Sequence, residues 1–121
     1  MSTELTFIEE LFEEAKNAYR NGRYFASCFL AYGATELLLI TTYRKIFGET
    51  PKAKGLVNVL LKMQDKIPIS DEILAFVEAM EMRWKDVIEK FQEISEKLAM
   101  RFISYAETTH HRLLKILESM T

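Results

Sequence analysis

The sequence contains few of the residues that interrupt helices or crosslink chains. Its 121 residues include four glycines, two prolines and one cysteine. These glycines and prolines are too few for the many turns of a β-sandwich or β-barrel. A lone cysteine excludes an internal disulfide, and the acidic N-terminal segment is unlike a signal peptide. Together these absences predict an all-α protein of the reducing cytoplasm.

Charge and composition exclude several other classes of protein. The 16 basic and 18 acidic residues leave a net charge of −2, so no overall basic field indicates nucleic-acid binding. Hydrophobic residues make up 49% of the chain, which excludes intrinsic disorder. The length is typical of one domain, and we predict a single helical domain over residues 1–121.

Apolar periodicity and helix-ending residues predict four long helices and a short one. The first runs from about Glu4 to Arg20, and the second from about Arg23 to Phe47. A short apolar segment follows over residues 55–63, and Ser70 is expected to cap the next helix. The predicted fold is a four-helix up-and-down bundle with a short extra helix between helices 2 and 3.

The boundary between the last two long helices is less clearly marked. No glycine or proline occurs from Ser70 onward, and one apolar seam continues through Ile94 and Leu98. We therefore predict the break at Thr108-Thr109. Threonine is a weak helix former and a good N-cap, and a new apolar stripe begins shortly after it. A turn at Ser95 would give better-matched helix lengths, but the unbroken seam argues against it.

The second helix is apolar on nearly every side. From Tyr24 to Tyr43 the only charged residue is Glu36. Although this length suits a bilayer, the carboxylate within it favours a helix surrounded by protein rather than a membrane span. A four-helix bundle leaves each helix one face toward solvent, so a second subunit is expected to cover it, and we predict a homodimer. Cys28 is expected to be buried and inert.

Metal and cofactor chemistry has little support in the sequence. One cysteine and two adjacent histidines do not form a ligand set, and the glycines are too far apart for a phosphate-binding loop. The acidic residues of the first helix are interpreted as a solvated face. We predict neither a metal nor a cofactor.

Two polar residues, Glu36 and Arg101, interrupt the apolar pattern and are candidates for chemistry. Glu36 is expected to be buried, either in a structural pair or lining a cleft or dimer interface. Arg101 occupies a position where the seam predicts an apolar side chain. An arginine with His110 nearby can bind a phosphodiester and move a proton, as ribonuclease chemistry requires. The alternative is that the helix has changed phase, which leaves Arg101 exposed and the histidines in a loop.

Part of the sequence resembles a known family. Residues 15–29 (AKNAYRNGRYFASCF) lead into residues 31–37 (AYGATEL), and GETP at 48–51 precedes an apolar segment at 56–61. This pattern is similar to the opening of HEPN domains (higher eukaryotes and prokaryotes nucleotide-binding). The resemblance implies a helical bundle, a homodimer and, as partner, a minimal nucleotidyltransferase in a toxin–antitoxin pair. It also points to Arg23, Tyr32 and Glu36 as ligand- or interface-binding candidates.

Many members of that family are metal-independent ribonucleases, which use an arginine followed after four to six residues by a histidine. Here Met100-Arg101-Phe102 resembles the start of that motif, but eight residues separate Arg101 from His110. We therefore predict a nucleotide- or RNA-binding or nucleotidyltransferase-partner module. The alternatives are a ribonuclease toxin using Arg101 with His110 or His111, and a helical dimer without a small ligand.

Overall fold

The chain is all-helical in a computed structural model that describes residues 3–120. Four helices are long and one is short, and a single 3-10 turn, Phe91–Glu93, lies before the last helix. The α-helices are α1 (Thr3–Arg20), α2 (Tyr24–Phe47), α3 (Leu56–Met63), α4 (Asp71–Glu89) and α5 (Glu96–Ser119). The predicted helical class is confirmed, and the short helix lies between the second and third long helices as expected.

Helix α2 occupies the centre of the structure and contacts every other α-helix. Within residues 3–120 it alone is long and apolar enough to cross a membrane, yet half of that apolar window is buried inside the protein. The helix ends at Gly48, as predicted. Gly48 adopts a left-handed conformation (φ 75°), and its N–H donates to the carbonyl of Arg44. The interpretation of α2 as a core helix therefore agrees with its packing.

Three buried hydroxyl groups of α2 donate hydrogen bonds to backbone carbonyl oxygens. The hydroxyls of Thr35 and Thr42 donate to the carbonyls of Ala31 and Leu38, one turn earlier, at 2.9 and 2.7 Å. The Ser27 hydroxyl instead donates to the carbonyl of Ala15 in α1, at 3.0 Å. Because these groups keep hydrogen bonds when buried, a core helix can contain them at little cost.

The predicted break at Thr108-Thr109 is wrong, since both residues lie inside α5. The chain turns earlier, and Ser95 caps α5 by accepting a bond from the N–H of Leu98 at 3.1 Å. Ile94, immediately before the cap, is in an extended conformation (ψ 126°). The apolar spacing through Ile94 and Leu98 persists because both side chains pack on the same core across the turn. Heptad spacing alone does not require one continuous helix.

The N-terminus of α3 is capped from a different helix. The N–H of Val57 donates to Oε2 of Glu81, in α4, at 3.2 Å. Gly55, which precedes α3, has a φ of +90°, and a Cβ there would lie 3.0 Å from the same carboxylate oxygen. The backbone conformation therefore favours glycine at this position, and a Cβ there would also displace the Glu81 carboxylate slightly.

Replacing Glu81 with alanine is expected to lower the free energy of unfolding by about 1 kcal/mol, because α3 loses its cap and a favourable charge at its N-terminus. Urea denaturation followed by circular dichroism measures the change. Glu78→Ala, at an exposed position of the same helix, is the matched control. Equal losses in the two variants would contradict a capping role for Glu81.

Candidate functional site

Two arginines line one groove between α4 and α5. The groove has a volume of about 200 Å³. Arg83 comes from α4 and Arg101 from α5, and both are exposed. The lining residues are Ala79, Met82, Arg83, Leu98, Arg101, Phe102 and Tyr105. We call this feature the arginine groove.

The guanidinium groups of the arginine groove are not neutralised by the chain itself. Across residues 3–120, no carboxylate lies within ion-pair distance of Arg83 or Arg101. Arg112, farther along α5, differs in this respect because its guanidinium contacts Glu72 at 2.6 Å. Two unpaired arginines that line one groove make it locally positive, which favours an anion able to accept paired hydrogen bonds.

Aromatic rings form one side and the floor of the groove. Tyr105 lines it and stacks on Phe76, with ring centroids 5.1 Å apart and planes 17° from parallel. Phe102 is 1% exposed and lies below the groove, 6.4 Å from the ring of Trp84. Unpaired guanidinium groups beside an aromatic face are the combination that binds the phosphate and base of a nucleotide.

The structure does not bring Arg101 and His110 together within one chain. Both lie on α5, nine residues apart, which corresponds to about 13 Å along the helix axis and about half a turn around it. One predicted alternative was an exposed Arg101 with the histidines in a loop. Arg101 is indeed exposed, but both histidines lie within α5.

His110 instead lines a cleft between α1 and α5, which we call the α1–α5 cleft. The cleft has a volume of about 330 Å³. The His110 ring meets the ring of Phe12 edge-on at 4.7 Å, and its Nδ1 has no hydrogen-bond partner within the described chain. Burial lowers the pKa of His110 below its ordinary value of 6.5, while the nearby carboxylate of Glu9 partly opposes this shift. His111 is exposed at the same cleft.

Glu36 is exposed, so the expectation of a buried carboxylate is wrong for the single chain. The reason is geometric, because α2 turns this position outward, next to the exposed Leu37. Glu36 lines a pocket of about 290 Å³ beside Lys54 and Gly55. An apolar neighbourhood in the sequence therefore did not imply burial at this position.

Tyr32 lies near Glu36 but is buried. Its ring stacks on Trp84, with centroids 4.1 Å apart and planes within 5°. Burial raises the pKa of Tyr32 to about 12, and the charges of Glu81 and Glu36 act in the same direction. The structure thus groups two of the three predicted binding residues. Arg23 is exposed at the start of α2, about 20 Å along the helix from Glu36.

Sequence reasoning missed Arg83. In one continuous helix, Arg83 and Arg101 would lie about 27 Å apart along the axis. The turn before Ser95 folds α5 back against α4 and brings both residues to the same groove. The N-cap signal of Ser95, followed by Glu96, was the available indication of this turn.

Reactive cysteine and metal chemistry have no site among the described residues. Between residues 3 and 120, no three His, Cys, Asp or Glu side chains are grouped so that they can hold a metal ion. Cys28 is buried as predicted, and burial raises the pKa of its thiol to about 12. A thiol with so high a pKa is an inert core side chain.

Helix α2 and the adjoining 3-10 turn present an apolar surface to solvent, which we call the α2 face. Phe29 and Phe91 are 51% and 52% exposed, and each ring lies 5.9 Å from that of Phe25. Leu37 continues the surface along α2. At Gly33, between Phe29 and Leu37, a Cβ would meet nothing within 4 Å. Exposed apolar side chains grouped in this way make the α2 face a candidate interaction site.

Comparison with known proteins identifies a family. The family model described as HEPN domain matches residues 9–118, nearly the whole chain. No curated protein matches the chain, and no solved structure does.

Proposed function

Because the chain belongs to the HEPN domain family, we propose that it is a homodimeric nucleotide- or RNA-binding module whose phosphate site is the arginine groove. In this proposal residues 1–121 form one domain, and the four long helices form an up-and-down bundle. The observation that carries the proposal is the pair of unpaired arginines, Arg83 and Arg101, in one groove.

The chemistry of the groove favours a phosphate group as its ligand. Two guanidinium groups present several N–H donors, and a phosphodiester can accept from both at once. In this proposal a base stacks on Tyr105, which lines the groove, on the face of the ring that Phe76 does not cover. Local charge matters more here than the net charge of −2, because screening limits the effect of distant carboxylates.

The test is binding of a fluorescent, mixed-sequence single-stranded RNA, measured by anisotropy at two salt concentrations. Arg83→Ala with Arg101→Ala is expected to weaken binding about 100-fold, since two charge-assisted contacts are lost. The salt dependence should also decrease. Arg20→Ala with Arg23→Ala removes two guanidinium groups that do not line the groove, and is expected to change affinity little.

Each other outcome identifies a different site or function. If the Arg20/Arg23 variant loses binding instead, the site lies at the turn between α1 and α2, where Arg23 was predicted to act. If wild type binds no RNA or nucleotide, the helical dimer without a small ligand is favoured. Cleavage of RNA in the presence of chelator, lost on Arg101→Ala with His110→Ala, would favour the ribonuclease alternative.

A second copy of the chain on the α2 face completes the proposal. The face continues from α2 onto the 3-10 turn through the contacts of Phe25 with Phe29 and Phe91. Gly33 costs helix stability relative to alanine, and no neighbour within the described chain requires it. A helix of a partner copy, packed closely against Gly33, would explain why a residue without a side chain stands there. The symmetric partner would bury the same apolar side chains twice.

The biological partner in this proposal is a minimal nucleotidyltransferase in a toxin–antitoxin pair, with both proteins in the cytoplasm. Family membership supports the partner, and the single buried thiol of Cys28 suits a reducing compartment. Co-purification of the tagged chain with such a nucleotidyltransferase tests this part of the proposal separately from RNA binding.

A further inference from the structure

One face of α5 carries polar and aromatic side chains well beyond the arginine groove. Its members are three or four residues apart, so they lie within an arc of about 60° around the helix axis. They are Arg101, Tyr105, Thr108 and Arg112. The two arginines are about 16 Å apart along the axis. The face therefore has a guanidinium group at each end and an aromatic ring between them.

Helix α4 meets this face of α5 with a matching set of residues. Three pairs, one residue from each helix, are in contact or line the same groove: Glu72 with Arg112, Phe76 with Tyr105, and Arg83 with Arg101. The α4 members are also spaced by whole helical turns and share one face of that helix. The order of the pairs shows that α4 and α5 are antiparallel, and it places them in sequence along one side of the helix pair. We call these three pairs the α4–α5 row.

The ion pair at the far end of the α4–α5 row is accessible to solvent. The side chains of Arg112 and Glu72 are 40% and 51% exposed. Exposed ion pairs contribute little to stability, so another anion can replace the carboxylate at small cost. A phosphate presents paired oxygen acceptors to a guanidinium group as a carboxylate does. Glu72 is the only carboxylate of the row, and in the free chain it neutralises Arg112.

The length of the row favours a strand over a single nucleotide. A mononucleotide, which carries its phosphate at one end, is too short to contact Arg101 and Arg112 together. A stacked strand rises about 3.4 Å per nucleotide, so about 16 Å corresponds to about five nucleotides, and an extended strand needs fewer. An aromatic side chain between two phosphate contacts, the place that Tyr105 takes here, is typical of single-strand binding.

We propose that Arg112 is a second phosphate site, masked by Glu72 in the free chain, and that the ligand is a single RNA strand of about four to six nucleotides. This inference rests on the proposed function, because Arg83 and Arg101 hold the other end of the strand. A phosphate that displaces Glu72 from Arg112 gains one charge-assisted contact. Binding therefore depends on strand length, which a site for one phosphate does not require.

The experiment compares the dinucleotide ApA with hexaadenylate as competitors of the labelled single-stranded RNA, with each variant's own affinity for that RNA used in the calculation. Arg112→Ala is expected to weaken hexaadenylate about tenfold, since one charge-assisted contact is lost, and to change ApA less than about twofold. Glu72→Gln should strengthen hexaadenylate about twofold or more, because Arg112 loses its charged competitor. A gain of affinity in this second variant does not arise from misfolding.

Arg44 and Glu4 supply matched controls for both substitutions. They form an ion pair between α2 and α1, with side chains 48% and 57% exposed, outside the α4–α5 row. Arg44→Ala and Glu4→Gln make the same changes in net charge and should each change the affinity for hexaadenylate less than about twofold.

The possible failures of this inference and of the proposed function differ. If Arg83→Ala with Arg101→Ala weakens hexaadenylate but Arg112→Ala does not, the second site is wrong and the proposed function stands. Equal losses for ApA and hexaadenylate in Arg112→Ala, or equal losses in Arg112→Ala and Arg44→Ala, would also overturn the second site. A wild type that binds neither hexaadenylate nor the labelled RNA would contradict both proposals.

Discussion

Replacing Phe29 with glutamate is expected to convert the proposed homodimer into monomers. Phe29 is 51% exposed in the single chain and lies in the middle of the α2 face. In the dimer that we propose, two symmetric copies of a carboxylate would be buried without partners, at a cost of about 3 kcal/mol or more for each subunit. Light scattering coupled to size-exclusion chromatography measures the mass at a fixed protein concentration.

Phe7→Glu is the matched control for this substitution. Phe7 has nearly the same exposure, 53%, but lies on α1 rather than on α2 or the 3-10 turn. It should leave the dimer intact, and circular dichroism should show an unchanged helix content for both variants. A wild-type protein that is monomeric at micromolar concentration, or a dimer that survives Phe29→Glu, would show that the α2 face is not the interface.

Replacing Phe102 with alanine is expected to lower the free energy of unfolding by about 3–5 kcal/mol. Phe102 is one of the largest fully buried side chains and supports the arginine groove from below. Alanine at this position would leave a cavity beside Trp84 that the packed helices cannot close completely. Such a loss is a large share of the stability of a small domain, so RNA binding should fail near physiological temperature as well.

Urea denaturation measures the effect of Phe102→Ala, with wild type and variant at the same protein concentration, because the proposed dimer would contribute to apparent stability. Phe7→Ala, an equal change of side chain at an exposed position, should cost less than about 1 kcal/mol. A similar small loss for Phe102→Ala would mean that α5 repacks and that Phe102 does not hold the groove.

Local signals in the sequence correctly predicted the features that depend only on neighbouring residues. Ser70 caps α4 by accepting from the N–H of Ile73 at 3.2 Å, and Gly48 ends α2, both as predicted. The continuous apolar character of α2 correctly indicated its central place. Each of these features follows from a cap, a left-handed glycine or a hydrophobic run, whose physics is local or requires only burial.

Two predictions failed because they depend on how distant parts of the chain pack together. The seam through Ile94 and Leu98 predicted a continuous helix, but both side chains reach the same core from opposite sides of a turn. Glu36 was expected to be buried because its neighbours are apolar, yet its side chain is exposed beside Lys54 and Gly55. Periodicity reports which residues are buried together and does not report how the chain connects them.

The sequence by itself determined the helical class, the central helix, the inert thiol of Cys28 and the resemblance to HEPN domains, because these depend on composition, spacing and local motifs. Only the tertiary structure decided which charged residues act together. The turn before Ser95 places Arg83 beside Arg101, and the packing of α1 on α5 collects Glu9, Glu13 and His110 around one cleft. The physical reason is that a binding site is defined by distances between side chains, and helix packing sets those distances.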